Sequence, residues 1–264
     1  MNATNGDRGT RPPFGAAAIL SLLPLLFLLP AGPVSAQRAD FLFGRPVATV
    51  SFVSGWAMPG ESSDVFAETR EDMMVARGDF ATAPFMVEAG IHMGDRLDIA
   101  AGFEYAGRSV RAEWRDYVWQ DDRPILQTTD FRRYRLMAGL RAYLFPRGRS
   151  ISEYVWLPRT LSPYVAAGAG VTWYEFTRRG DFVYEATLDI FEDRFTSRGY
   201  GLTPYAAAGL DLSLSPHFLI RAEVRQLWGS GGVDPTVYEG YNDIDLSGLR
   251  ATLGFAFRTS GRGV

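Results

Sequence analysis

Beyond residue 45 the chain alternates apolar and polar side chains with a period of two, the pattern of strands that bury one face. Eight such runs are predicted. The first spans Pro46 to Ala57, with Ala48, Val50 and Phe52 on one face. Phe85 to Met93 and the run from Leu97 to Tyr105 form a hairpin about Gly94-Asp95-Arg96, with Val87, Ala89 and Ile91 in phase with Ile99, Ala101 and Phe103. A fourth run sets Tyr134, Leu136, Ala138, Leu140 and Ala142 against Arg133, Arg135, Gly139 and Arg141, and a fifth sets Val165, Ala167, Ala169, Val171 and Trp173 against Tyr164, Gly168, Gly170 and Thr172. The sixth and seventh turn about Ser215-Pro216-His217, and the eighth places Leu249, Ala251, Leu253, Phe255 and Phe257 opposite Arg250, Thr252, Gly254 and Arg258.

Long and short connections alternate between these runs. Long polar gaps span 59–78, 108–128, 178–197 and 229–242, and the short links are tight turns apart from 146–162, which is expected to fold against a barrel rim. Short turns on one side and long loops on the other predict an all-β, eight-stranded, antiparallel up-and-down transmembrane barrel, with the long loops outside. The side chains on the non-apolar face separate this reading from a soluble barrel. They include many glycines, such as Gly90, Gly102, Gly139, Gly168, Gly170, Gly209 and Gly254, which suit a crowded interior better than a solvent surface. An arginine facing lipid at mid-bilayer costs about 2–4 kcal/mol. Glu88, Asp98, Glu104, Arg133, Arg135, Arg141, Asp211, Arg221, Glu223, Arg225 and Arg250 are therefore assigned to the lumen, as a structural network of paired charges. Tyr105, Trp114, Tyr117, Trp119, Trp173, Tyr174, Tyr200 and Trp228 are expected to form an outer aromatic girdle.

The N-terminus changes the picture by supplying a route. An apolar stretch from Gly15 to Leu29, too short for a helical span, is followed by Val34-Ser35-Ala36, so residues 1–36 are expected to be a cleaved secretory signal and 37–264 the barrel domain. Cysteine is absent, which removes disulfides and cysteine metal sites as sources of stability. The 27 basic against 30 acidic residues leave no surplus for nucleic acid.

The segment from Leu212 through Ser215-Pro216-His217 to Arg225, and the ending Leu253-Gly-Phe-Ala-Phe-Arg258, resemble the small outer-membrane barrel group that includes the OmpA transmembrane domain, OmpX and OmpW. The resemblance implies an outer-membrane location, lipid and lipopolysaccharide as surroundings, and recognition by the barrel-assembly machinery through Leu253, Phe255 and Phe257. Seven residues follow Phe257, and Thr252 stands where the group often has glycine; both are departures from its usual ending.

Function classes narrow accordingly. The first expectation is a monomeric barrel with a structural or surface-interaction role through its outer loops. The second is passage of small apolar compounds or ions through the barrel, and the third is a lipid-modifying enzyme. Catalysis is disfavoured because both histidines, His92 and His217, fall at the short turns, away from the outer leaflet. No catalytic residue, metal site or cofactor is assigned, and the loop acids Glu61, Asp64, Asp121, Asp122, Glu192, Asp193, Asp243 and Asp245 are expected to be solvated.

Overall fold

A computed structural model describes residues 41–119, 121–184 and 187–260, so the expected signal segment lies outside the described residues. In chain order its elements are β1 (Leu42–Phe43), β2 (Pro46–Pro59), α1 (Asp64–Asp72), β3 (Phe85–His92), β4 (Leu97–Val118), β5 (Pro124–Tyr143), β6 (Gly148–Ser152) and β7 (Val155–Pro158). They continue with β8 (Leu161–Tyr184), β9 (Asp189–Ser213), β10 (Phe218–Leu227), β11 (Ser230–Gly231), β12 (Ile244–Asp245) and β13 (Gly248–Ser260).

Eight of these strands, β2, β3, β4, β5, β8, β9, β10 and β13, close an antiparallel barrel in sequence order. The ring is completed by β13 on β2, in register from Gly248 opposite Pro59 down to Arg258 opposite Thr49. Alternation fixes the faces. Outward positions along the lower ten or so residues of each barrel strand carry no charged side chain, and Ile99, Leu136, Leu140, Val165, Leu202, Val224, Leu253 and Phe255 are exposed there. Inward positions hold the charged and small residues. Gly139 and Gly168 are register partners, and a Cβ on them would lie 2.4 and 2.8 Å from the Tyr205 hydroxyl, so their missing side chains make room for that ring.

Two gaps differ from the sequence expectation, and segment 146–162 lies at the rim as expected but with its own strand pairing. The gaps expected at 108–128 and 178–197 are mostly strand: β4 continues to Val118 and β5 begins at Pro124, while β8 and β9, of 24 and 25 residues, continue to Tyr184 and begin at Asp189. A crossing needs only about 9–11 residues, so these hairpins stand far above the apolar band. Their polar composition reads as loop because, above that band, neither face has to be uniformly apolar. The gap at 59–78 contains α1, and the segment 146–162 forms the hairpin β6–β7, which pairs with β1 as a three-stranded sheet at the short-turn end. Leu42 and Trp156 are its buried residues.

Candidate functional site: a filled lumen closed at both ends

From the short-turn end upward, the lumen is a stack of side-chain layers. At the bottom, Asp98 accepts from His92 Nδ1 at 2.7 Å and Arg147 Nη1 at 2.6 Å, while His92 Nε2 meets Thr49 Oγ1 at 3.0 Å. The His92 side chain is thus buried and bonded through both ring nitrogens. Arg258 donates to Ser213 Oγ at 2.8 Å and lies over the Trp156 ring, so the small sheet packs against the lumen at this end.

Above it sits the largest cluster. Arg221 grips Asp211 bidentately, Nε to Oδ1 at 2.8 Å and Nη2 to Oδ2 at 2.9 Å. Arg225 bridges Glu223 (Nε to Oε1, 2.8 Å) and Glu88 (Nη2 to Oε2, 3.1 Å), and Arg141 also bonds Glu88. Tyr143 donates to Asp211 and Tyr164 to Glu223, each at 2.9 Å. The guanidiniums of Arg141 and Arg225 stack on Tyr164 and Tyr205 at 4.6 and 4.4 Å. A thin apolar layer of Val53, Met86, Met137 and Leu227 follows. Over it, Glu104 receives Arg135 Nη1 at 2.9 Å and a bond from Arg250, and Arg135 Nε donates to Thr172 Oγ1 at 2.6 Å. Arg133 lies over the Phe131 ring at 4.6 Å.

The outer end is filled by a folded cap. Phe66 of α1 inserts edge-on among Phe80, Phe131 and Phe176, with centroids 5.3–5.6 Å away. Arg178, buried on β8, holds the helix through Glu68 at 3.2 Å and Asp72 at 2.9 Å, and donates to Gln127. Asp245 accepts from the Ser62 amide at 3.1 Å and the Ser247 amide at 2.9 Å, tying the fourth loop to the first. Glu61 and Asp245 are therefore buried, not solvated. The Ser62 and Ser247 bonds hold Asp245 below the usual carboxylate range against its own burial, whereas burial pushes Glu61 up despite the Gly78 amide and Arg70.

Every lumen residue named from sequence is buried on an inward position, in two groups: Glu88, Arg141, Asp211, Arg221, Glu223 and Arg225 below, and Glu104, Arg133, Arg135 and Arg250 above, with Asp98 at the bottom. Sequence reasoning missed Arg147, Arg178 and Arg258, which lie on turns, caps and ends. One signal was available: the chain has no lysine, so all 27 basic residues are arginine, the cation suited to buried bidentate pairing. Trp114 and Tyr174 are corrected from the girdle to the cap core, and Tyr117 and Trp119, half-buried, pack against that core rather than forming the girdle. Leu253, Phe255 and Phe257 lie on the outer wall of β13 and are exposed.

The outer wall carries an ordered row. Tyr105, Tyr134, Trp173 and Tyr200 are successive register partners across β4, β5, β8 and β9. One row higher come Gly107, Arg132, Glu175 and Arg198, with Glu175 bonded to Arg198 at 2.8 Å and to Arg132 at 3.5 Å. Two rows higher stand Arg111, Thr128, Arg179 and Arg194.

No protein-family model and no curated protein matches the chain. Among solved structures it is similar to the outer membrane protein OprG of Pseudomonas aeruginosa (13% identity, 83% of this chain and 99% of that one, TM-score 0.48) and to Neisserial surface protein A (14%, 84% and 98%, TM-score 0.39). It is also similar to the N-terminal β-barrel domain of Pseudomonas aeruginosa OprF (12%, 82% and 99%, TM-score 0.36). Its own strand pairing makes the chain an eight-stranded antiparallel β-barrel.

Proposed function

We propose that this chain is an outer-membrane barrel with a closed lumen, acting through its surface as a structural or interaction protein. The observation that carries this reading is the sorting of charge: none on the outward face of the apolar band, and paired arginines and carboxylates inside it. Lipid against the wall and a desolvated interior account for both halves. Passage of small apolar compounds needs an apolar upper cavity, and among the described residues that space is occupied by Phe66, Phe80, Phe131 and Phe176.

The aromatic row marks where the wall would leave the bilayer core. Arg132 and Arg198 would then stand at the height of outer-leaflet phosphates, with Arg111, Arg179 and Arg194 above them. Lipopolysaccharide is the partner this chemistry favours. Assembly would use the exposed Leu253, Phe255 and Phe257 edge, and the protomer is taken as a monomer.

The deciding experiment is reconstitution of the purified barrel in planar bilayers. Insertion without stepwise conductance is expected, whereas resolved conductance steps would overturn the closed-lumen reading. A stable, detergent-free monomer in water would overturn the membrane reading itself.

A further inference from the structure

The two charged groups of the lumen are balanced differently. Below the apolar layer, Glu88, Asp211 and Glu223 meet Arg141, Arg221 and Arg225, three carboxylates for three guanidiniums, and every one of the six makes an ion pair. Above it Glu104 alone faces three guanidiniums. Its two oxygens are used by Arg135 and Arg250.

Arg133 receives nothing from it. Among the described residues it has neither hydrogen bond nor ion pair, and its Nε and Nη2 are buried without a partner, as is Nη2 of Arg135. The residue is 2% exposed, so it is almost wholly withdrawn from bulk water. Its chain position shows what encloses it: Phe131, Arg133, Arg135 and Met137 are successive inward residues of β5, the first belonging to the aromatic cap and the last to the apolar layer. Arginine does not shed its proton inside proteins, and a buried cation with an aromatic face beside it but no bonded anion is strongly unfavourable. The nearest loop carboxylates, Glu61 and Asp245, make their bonds elsewhere, to Arg70 and Gly78 and to Ser62 and Ser247.

We propose that the upper layer of the lumen binds a small monovalent anion of the halide class, held by the N–H groups of Arg133 and Arg135. A halide fits because it accepts from several donors without demanding a fixed angle. It also supplies the charge that the layer lacks while remaining small enough for a level only two residues deep, about 7 Å along the strand. The inference concerns the interior and does not rest on the membrane placement.

The test is a crystal structure of the intact barrel grown in sodium bromide, read by anomalous scattering. A bromide peak within hydrogen-bonding distance of Arg133 is expected. A water oxygen in that place, or Glu61 or Asp245 turned onto Arg133 with no peak, would overturn the proposal. In parallel, replacing chloride by gluconate should lower the melting temperature of the wild-type barrel and leave that of Arg133→Met unmoved. A wild-type midpoint indifferent to the exchange would count against the site, and the bromide map decides alone if the variant fails to fold.

Discussion

Arg178 of β8 reaches across the mouth of the barrel to Asp72 in the last turn of α1, 2.9 Å from Nη2 to Oδ2. That bond joins a barrel wall to a loop helix, and the guanidinium also holds Glu68 one turn earlier. The helix itself is short, nine residues, and its mean side-chain character is polar, so it would not persist alone in water. Its order comes from Phe66 and from Arg178.

The first prediction follows from that dependence. Arg178→Met should release α1 and cost on the order of 2–3 kcal/mol, below the 3–5 of a wholly buried pair because both acids keep some contact with water. Hydrogen exchange should rise across 64–72 while the barrel strands stay protected. Unchanged exchange in the helix would show that Phe66 alone holds the cap.

The lower network leads to a second prediction. Arg221→Met leaves Asp211 with only the Tyr143 hydroxyl among its buried side-chain partners, and should destabilise the folded barrel by about 3–5 kcal/mol. The double variant Arg221→Met with Asp211→Leu should recover much of that loss, since a neutral pair no longer has an orphaned charge to bury. Urea unfolding in lipid vesicles reads both; equal losses in the single and double variants would place the cost in packing.

On the outer wall, a third prediction concerns Arg132, Arg179 and Arg198. These side chains are substantially exposed, so their ion pairs with Glu175 and Asp130 contribute little to folding. The triple change to Gln should leave thermal stability within experimental scatter while reducing retention of phosphorylated lipopolysaccharide in detergent. Equal retention by the variant, or wild-type indifference to removal of the lipid phosphates, would remove the arginine belt from the proposed interface.

How much of this was legible in sequence depended on the depth of each residue. Where lipid and a packed lumen impose opposite demands on the two faces, period-two alternation placed Ile99, Leu140 and Val224 outward and Arg141, Arg221 and Glu223 inward without ambiguity. Above that band the rule fails. Phe131, Tyr174 and Phe176 face an apolar cap while Arg132 and Glu175 face water, so β5 and β8 continue through segments whose polarity resembles loop. Glu61 and Asp245 were hidden for another reason: Asp245 accepts from the amide of Ser62, the neighbour of Glu61, across 183 residues of chain separation, which no local window contains.

Those two loop carboxylates give the last prediction, because they oppose each other with pH. Asp245 titrates below its unfolded value, so the stability it contributes is full above the unfolded pKa and is lost as pH falls through the folded one. Glu61 titrates above its unfolded value; its contribution is full below the unfolded pKa and is lost as pH rises through the folded one. At neutral pH Asp245 therefore supports the cap and Glu61 strains it. Glu61→Gln keeps an acceptor for the Gly78 amide and removes the charge, so it should protect the cap against limited proteolysis at pH 7 and lose that advantage near pH 4. Asp245→Asn should do the reverse, weakening the cap at pH 7 with a difference that shrinks on acidification. If both variants shifted protection in the same direction at pH 7, the opposed titration of the two carboxylates would be refuted.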